Sequence, residues 1–434
     1  LYADPLMEIY SKMGRGDVTR NLFNIYYADL YDADPDSEAL NLQLFRSYYE
    51  QGDHDAAVRY VKPALKTEGV AYALQAMETA FMTTDYRLAE KLAENYLHNR
   101  YNMAENMLMA TPENKSDLNS MMKEVEVEAF DRILDFSYGK KSCAGLLAGL
   151  LYNWNLISKG GLLKSMQSWH NYMLDNDDNM YGAYDLYNAF ADGQQVDGVF
   201  SPGEYASLVS YELSDLMRSE DAKVMISPRV TFKEVVDKLD KGSYVVEFCG
   251  IDDEYYAVMA GKGDKAPKLY RLCSKEDIMS VSADMFTEYL YDDAGSLKKL
   301  YDLIWKPFLN QIPEGSDIYC SLDGVLNLLN VELFCDESMR YVGDIYDIHR
   351  VSTTASIGKP VMMDDLSNAV LYGNMNYCMN HTEITLDSDK YIYDAAEAKY
   401  RGAVVDYIVP REPLKETGSE VRYVSDLLAE HEVD

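Results

Sequence analysis

The stretch "LYDLIWKPFLNQIPEGSDIYCSLDGVLNLLNVELF", Leu300–Phe334, holds a helix, a strand and a tight turn in that order. Together with Leu297 just before it, Leu300, Tyr301, Ile304, Trp305 and Phe308 fall at helical spacing. They make one continuous apolar stripe that must lie on a sheet. Asp317–Ser321 reads as the next strand, and Asp323-Gly324 is a turn signal in its own right. Cys320 sits at the carboxyl end of that strand, where α/β enzymes place reactive groups, and His349 follows 29 residues later. Two readings stand side by side. The pair is a nucleophile and its base, or Cys320 is a core residue before a turn, which is the usual fate of a lone Cys in a strand-rich segment. Cys249 and Cys273 also end β-runs and are weaker candidates.

Ahead of this stretch, Ser243–Ile251, Glu254–Lys262 and Lys268–Ser274 are short β-rich runs separated by turn residues, as in hairpins. The region therefore reads β-β-β-α-β. Beyond it, Ala369–Tyr377 reads as a further strand, followed by the helix "GSEVRYVSDLLAE", where Thr417 and Glu420 have the spacing of a capping box. A strand–helix unit that stops at Asp434 lacks a following parallel strand, so this last layer is expected to be incomplete.

The first hundred residues carry a repeat. In "LFRSYYEQGDHDAAVRYVKPAL", Leu44–Leu65, two helical patterns flank Gly52-Asp53, with small Ala57 and Ala64 where helices approach. "AMETAFMTTDYRLAEKLAENYL", Ala76–Leu97, sets Asp85-Tyr86 and Ala89 at matching places, 32 residues after Ala57. A poorer copy, "IYSKMGRGDVTRNLFNIY", brings Gly16-Asp17 to the same position. This grammar resembles tetratricopeptide repeats, helical hairpins that stack into a concave binding surface, with an ordinary helical bundle as the alternative. Helical patterning without a repeat continues from Ser116 to Ala222. Within it "LLYNWNLISKGGLLKS", Leu150–Ser165, breaks at Lys159-Gly160-Gly161, and "LDNDDNMYG", Leu174–Gly182, reads as a loop. Lys159 either closes a helix, its charge facing the dipole, or contacts a partner.

Composition narrows the function classes. At 434 residues, 47% of them apolar, the chain has material for two or three domains. Against 73 acidic residues stand 40 Lys and Arg, a net charge of −33 that no basic cluster interrupts, so a direct nucleic-acid partner, which needs a positive face, is not expected. The 37 tyrosines suit helix packing and contact surfaces. Cys143, Cys249, Cys273, Cys320, Cys335 and Cys378 show no CxxC spacing, which argues for reduced thiols in a cytoplasmic protein and against a zinc site or disulfide framework. No cofactor or metal is expected. No apolar run reaches the roughly 18 residues of a membrane span. The chain opens on Leu1 inside a helical pattern, which leaves the native start and any targeting signal out of view.

Taken together, these segments resemble the CHAT proteins (caspase HetF associated with tetratricopeptide repeats), caspase-like cysteine peptidases of the separase and gingipain kind. Members carry a W-x-P helix, a strand ending in a Ser-Pro-Asp-Gly turn, a Leu and a Glu-x-Leu. Here these are Trp305 and Pro307, Ser321-Leu322-Asp323-Gly324 with Leu322 replacing the proline, Leu326, and Glu332-Leu333. "YNWNLISKGGLL" resembles the family's lysine–glycine helix, "YDIHRVSTTAS" its strand ending in a Ser-Thr turn, and "PLKETGSEVRYVSDLL" its Pro-Gly-Thr-x-x-Glu-Val helix start.

The resemblance implies a fold of α-helical repeats over residues 1–115, a helical connector over 116–225, a pseudo-caspase half over 226–360 and the start of a caspase-like peptidase half over 361–434, an α and α/β combination. It also implies that the catalytic His and Cys lie in segments beyond Asp434, so that no catalytic residue is named in this chain and Cys320 is a small buried hydrophobe. The implied chemistry of the complete protein is attack of a His-activated thiolate on a peptide carbonyl, with backbone N–H groups holding the oxyanion. Implied partners are a protein or peptide regulator in the repeat groove, a protein substrate, and a second chain carrying the catalytic remainder. Such proteins serve bacterial antiphage or cell-death systems. The competing expectation is a non-enzymatic repeat scaffold with a degenerate peptidase fold.

Overall fold

Three helical hairpins open the chain, and each turns through a residue with left-handed backbone. A computed structural model describes residues 3–61, 69–107, 112–159, 229–281 and 293–358. These all belong to one compact unit, Leu1–Ala191 with Val196–Pro360. A second unit, Asp192–Gln195 with Val361–Asp434, lies outside the described residues, as do Ala64, Gly160-Gly161, Leu174–Gly182, Cys378, the strand expected over Ala369–Tyr377 and the helix expected to hold Thr417 and Glu420.

Helices α1 (Ala3–Lys12) and α2 (Gly16–Tyr26) form the first hairpin, followed by α3 (Ala28–Ala33). Helix α4 (Glu38–Tyr49) pairs with the short α5 (His54–Ala57), and α6 (Val70–Met82) with α7 (Tyr86–Met107). The turn residues are Gly14 at φ 70°, Gly52 at φ 70° and Thr84 at φ 59°. Asp53 and Asp85 follow two of them and cap the next helix, accepting from Ala56 N and Leu88 N at 3.1 Å each. The register of the first copy therefore differs from the sequence reading: Gly14, not Gly16, stands where Gly52 stands. Gly16 instead opens α2 beneath α4, where an added Cβ would lie 2.2 Å from the Ser47 carbonyl oxygen. Five residues after each turn residue, Thr19, Ala57 and Ala89 are buried at the hairpin contact.

Two longer helices, α8 (Pro112–Ser137) and α9 (Ala144–Ser158), carry this array onto a sheet. After α10 (Phe232–Lys238) come β1 (Tyr244–Ile251), β2 (Glu254–Gly261) and β3 (Lys268–Ser274), then α11 (Lys275–Val281), α12 (Ala294–Ile304) and α13 (Lys306–Leu309). Strand β4 (Asp317–Ser321), two 3-10 turns (Gly324–Leu328 and Val331–Leu333), α14 (Val342–Ile345), β5 (Asp347–Arg350) and α15 (Ala355–Gly358) complete the described part. The sheet is mixed, in the order β3-β2-β1-β4-β5. The β1, β2 and β3 neighbours are antiparallel, as the hairpin reading expects, whereas β1–β4 and β4–β5 are parallel. Helices and a mixed sheet make this an α+β protein.

Because strand side chains alternate, the sheet has two apolar faces. Val245, Cys249, Ile251, Tyr256 and Val258 join the core of α6 to α9, which includes Phe81, Phe130, Leu151 and Trp154. Val246, Phe248, Ala257, Ile318 and Cys320 join the opposite core, against Leu297, Leu300, Ile304, Trp305 and Phe308 of the stripe read from the sequence. The Trp305 ring packs edge-on against Phe248 at 5.6 Å, and its Nε1 donates to the Val331 carbonyl at 3.0 Å, so one side chain binds helix, strand and the following turn together.

Candidate functional site

The carboxyl ends of β1 and β4 gather a cluster of buried polar residues. Glu247 lies mid-strand in β1, in register with Ser321 of β4, and is fully buried. A buried carboxylate in an apolar strand costs several kcal/mol, of order 3–5 when its partner is missing, so it must be paired. Here both oxygens are. Oε2 accepts from Lys159 Nζ at 2.9 Å, and Oε1 accepts from the Thr354 backbone N–H at 2.8 Å and its hydroxyl at 2.6 Å. The Tyr152 hydroxyl on α9 meets the Thr354 hydroxyl at 2.7 Å. Burial, then the Glu247 charge, pushes the Tyr152 phenol well above its ordinary value.

Lys159 closes α9 and its side chain is only 10% exposed, so the sequence reading gave its place but not its role. Its ammonium does more than face the helix dipole. It crosses to the sheet, donating also to the Phe248 carbonyl, to Ser321 O at 3.1 Å and to Ser321 Oγ at 3.2 Å. Ser321 Oγ in turn donates to Ser352 O at 3.0 Å. The helix array, both central strands and the Ser-Thr turn after β5 thus meet at one ammonium–carboxylate pair.

Beside this pair, Asp323 Oδ2 accepts from Gly250 N at 2.9 Å and Oδ1 from Gly324 N at 3.0 Å, so the turn after β4 is tied to the end of β1. Gly324 has φ +54°, and a Cβ there would stand 2.4 Å from the Tyr255 hydroxyl oxygen. That oxygen already accepts from Val325 N at 3.1 Å. Leu322, at the position where the resembled family has proline, is buried in the core. Glu332 pairs with Arg350 at 3.6 Å, linking the second 3-10 turn to β5.

Cys320 is fully buried, and desolvation pushes its thiol up to about 12. Cys249 and Cys273 are likewise pushed up to about 12 by burial. Cys320 and His349 are not brought together. Tyr319 registers with His349 and Cys320 with Arg350, so the imidazole and the thiol project from opposite faces. The His349 ring instead stacks on Tyr319 at 4.6 Å and meets Asp317 Oδ1 at 3.1 Å.

Ser321 and Lys159 are not a hydrolytic pair either. The amine donates to Glu247, Phe248 and Ser321 and offers no lone pair to the serine, which is fully buried. What this arrangement does is mechanical. It fixes the helix array to the sheet at the strand ends.

A second buried carboxylate continues the connection into the array. Glu126 of α8 accepts from Tyr96 at 2.6 Å and Arg100 at 2.7 Å on α7, and from Trp154 Nε1 of α9 at 2.9 Å. On its other side Glu78 of α6 accepts from Arg132 of α8 at 2.6 Å and from Tyr49 of α4 at 2.6 Å. Glu247 and Glu126 escaped the sequence reading, although a lone Glu inside "SYVVEFCGI" is the signal for the first of them: it cannot be buried without a cation. Known protein families and curated proteins contain no match to this chain.

Proposed function

We propose that this chain is the regulatory and supporting part of a caspase-like cysteine endopeptidase of the CHAT kind. Its helical repeats bind a protein or peptide regulator, and its sheet supports a second, catalytic half whose Cys and His lie outside these residues. The target is a dedicated protein, and the setting is bacterial defence or cell death. The observation that carries the reading is convergence. Residues from three separate motifs of the resemblance meet on the neighbouring strands β1, β4 and β5: Lys159 donates to Ser321 of β4, Thr354 to Glu247 of β1, Glu332 pairs with Arg350 of β5, and Trp305 donates to Val331 after the Ser321–Gly324 turn. Regulation follows from the same packing. A ligand that shifts α4 to α8 acts on α9 through Glu78 and Glu126, and α9 ends in the lysine that holds β1 and β4.

The five described cysteines are all buried, which also suits a non-enzymatic scaffold. The discriminating experiment compares the product of the complete reading frame with the 434-residue chain on a library of fluorogenic peptides. Cleavage by the complete product alone, abolished by thiol alkylation, is the expected result. Cleavage by the 434-residue chain that is lost in Cys320→Ser would overturn the supporting role, and no cleavage by either leaves the scaffold.

A further inference from the structure

The amino ends of β4 and β5 present a different cluster. Asp317 and Asp347 are register partners, and Tyr319 and His349 are the next pair on the same face. Parallel pairing therefore sets two carboxylates and an imidazole side by side on one face. His349 Nε2 lies 3.1 Å from Asp317 Oδ1 and 3.8 Å from Asp347 Oδ1, and one ligand atom from each residue falls within 4.8 Å of the others. From this geometry we infer a divalent transition-metal site, with Zn²⁺ as the representative ion, formed by Asp317, Asp347 and His349.

Four observations carry the inference. Ligands bound at about 2.0–2.2 Å around one ion stand roughly 3.0–3.5 Å apart, so these spacings need only small rotamer adjustments to close. The imidazole is already oriented: stacking on Tyr319, with rings 21° from coplanar, leaves Nε2 directed at the carboxylates. Among the described residues neither Asp317 nor Asp347 pairs with a lysine or arginine, so an ion would supply the balancing charge. The chain's net charge of −33 adds a long-range field that favours cations. One nitrogen and two carboxylate ligands suit zinc-class ions over calcium or magnesium, which prefer all-oxygen shells. Partial exposure of all three side chains leaves room for water in the remaining positions. The ion would tie β5 to β4 at the end opposite the Lys159–Glu247 pair. No CxxC-type spacing reveals such a site, since its ligands are assembled by strand register.

The test is calorimetric titration of the 434-residue chain with Zn²⁺ alone, alongside Asp317→Asn, Asp347→Asn and His349→Ala. The expected result is one equivalent bound by the parent chain and weakened at least about tenfold in each variant, by analogy with the loss seen when supporting groups of metal sites are removed. Zn²⁺ should also raise the thermal midpoint of the parent chain and of none of the three variants, which separates this site from binding at other histidines. Asp347 is the most exposed of the three, so its variant keeps the test valid should another fail to fold. An unchanged titration in the variants overturns the site. So does weakening in His349→Ala alone, which marks a lone imidazole, and so does an absence of Zn²⁺ binding to the parent chain.

Discussion

The two ends of β4 carry polar clusters of similar make-up and opposite character. At the carboxyl end, Glu247 is fully buried, Lys159 is 10% exposed, and every polar atom of the pair has a protein partner. At the amino end, Asp317 and His349 are 46% and 38% exposed and share a single short contact. The difference teaches that burial, and not residue type, separates a structural keystone from an exchangeable site. A desolvated carboxylate cannot release its cation without an energetic penalty, whereas a solvated one can trade protein, proton or metal for water at little cost.

Glu247→Ala is the most severe way to break this contrast. It leaves Lys159 buried without its carboxylate, and the expected loss is about 3–5 kcal/mol in urea unfolding. Glu247→Ala combined with Lys159→Met should recover part of that loss. A double variant no more stable than Glu247→Ala would show that the ammonium was never desolvated. Gly324→Ala comes next, since it imposes a left-handed residue and a 2.4 Å contact with the Tyr255 hydroxyl oxygen. The expected cost is about 1–3 kcal/mol, and it should shrink in a Tyr255→Phe background. Equal costs in both backgrounds would remove Tyr255 from the account.

Alkaline pH sharpens the contrast from the side of the core. Burial raises the Cys320 thiol to about 12, above its unfolded value, so the folded state holds its proton longer than the unfolded one. Its contribution is complete below the unfolded value and is lost as pH rises toward 12, at no more than about 1.4 kcal/mol per pH unit for one thiol. Between pH 9 and 11, Cys320→Ala should therefore lose stability less steeply than the parent chain. Parallel slopes would place the thiol in a polar environment. Smallest of all, His349→Ala measured without metal should change stability by only about 0–1 kcal/mol, since its pair with Asp317 is half exposed. A loss matching that of Glu247→Ala would erase the distinction between the two ends.

Periodicity made some of this legible in advance. The apolar stripe from Leu297 to Phe308 needed a sheet, and Trp305 and Phe308 do pack on Phe248. The runs around Val246, Met259 and Leu269 became antiparallel neighbours, and Asp323-Gly324 became the turn after β4. Each of these depends on spacing within a few residues, which the chain itself sets. The repeat register was harder. Gly14 and Gly16 are both glycines two residues apart, and only the packing of Gly16 under Ser47 tells which one turns the hairpin.

Sequence by itself determined the hairpin grammar of the array, the alternation of the strands and the acidic net charge, because propensity, period and charge are local or additive. Tertiary structure alone decided that Lys159 belongs to Glu247, that Cys320 and His349 face away from each other, and that Asp317, Asp347 and His349 stand together. The partners in these groups meet across strand register or helix–sheet packing. Which residues become neighbours there, and how much water stays between them, is set by the fold as a whole.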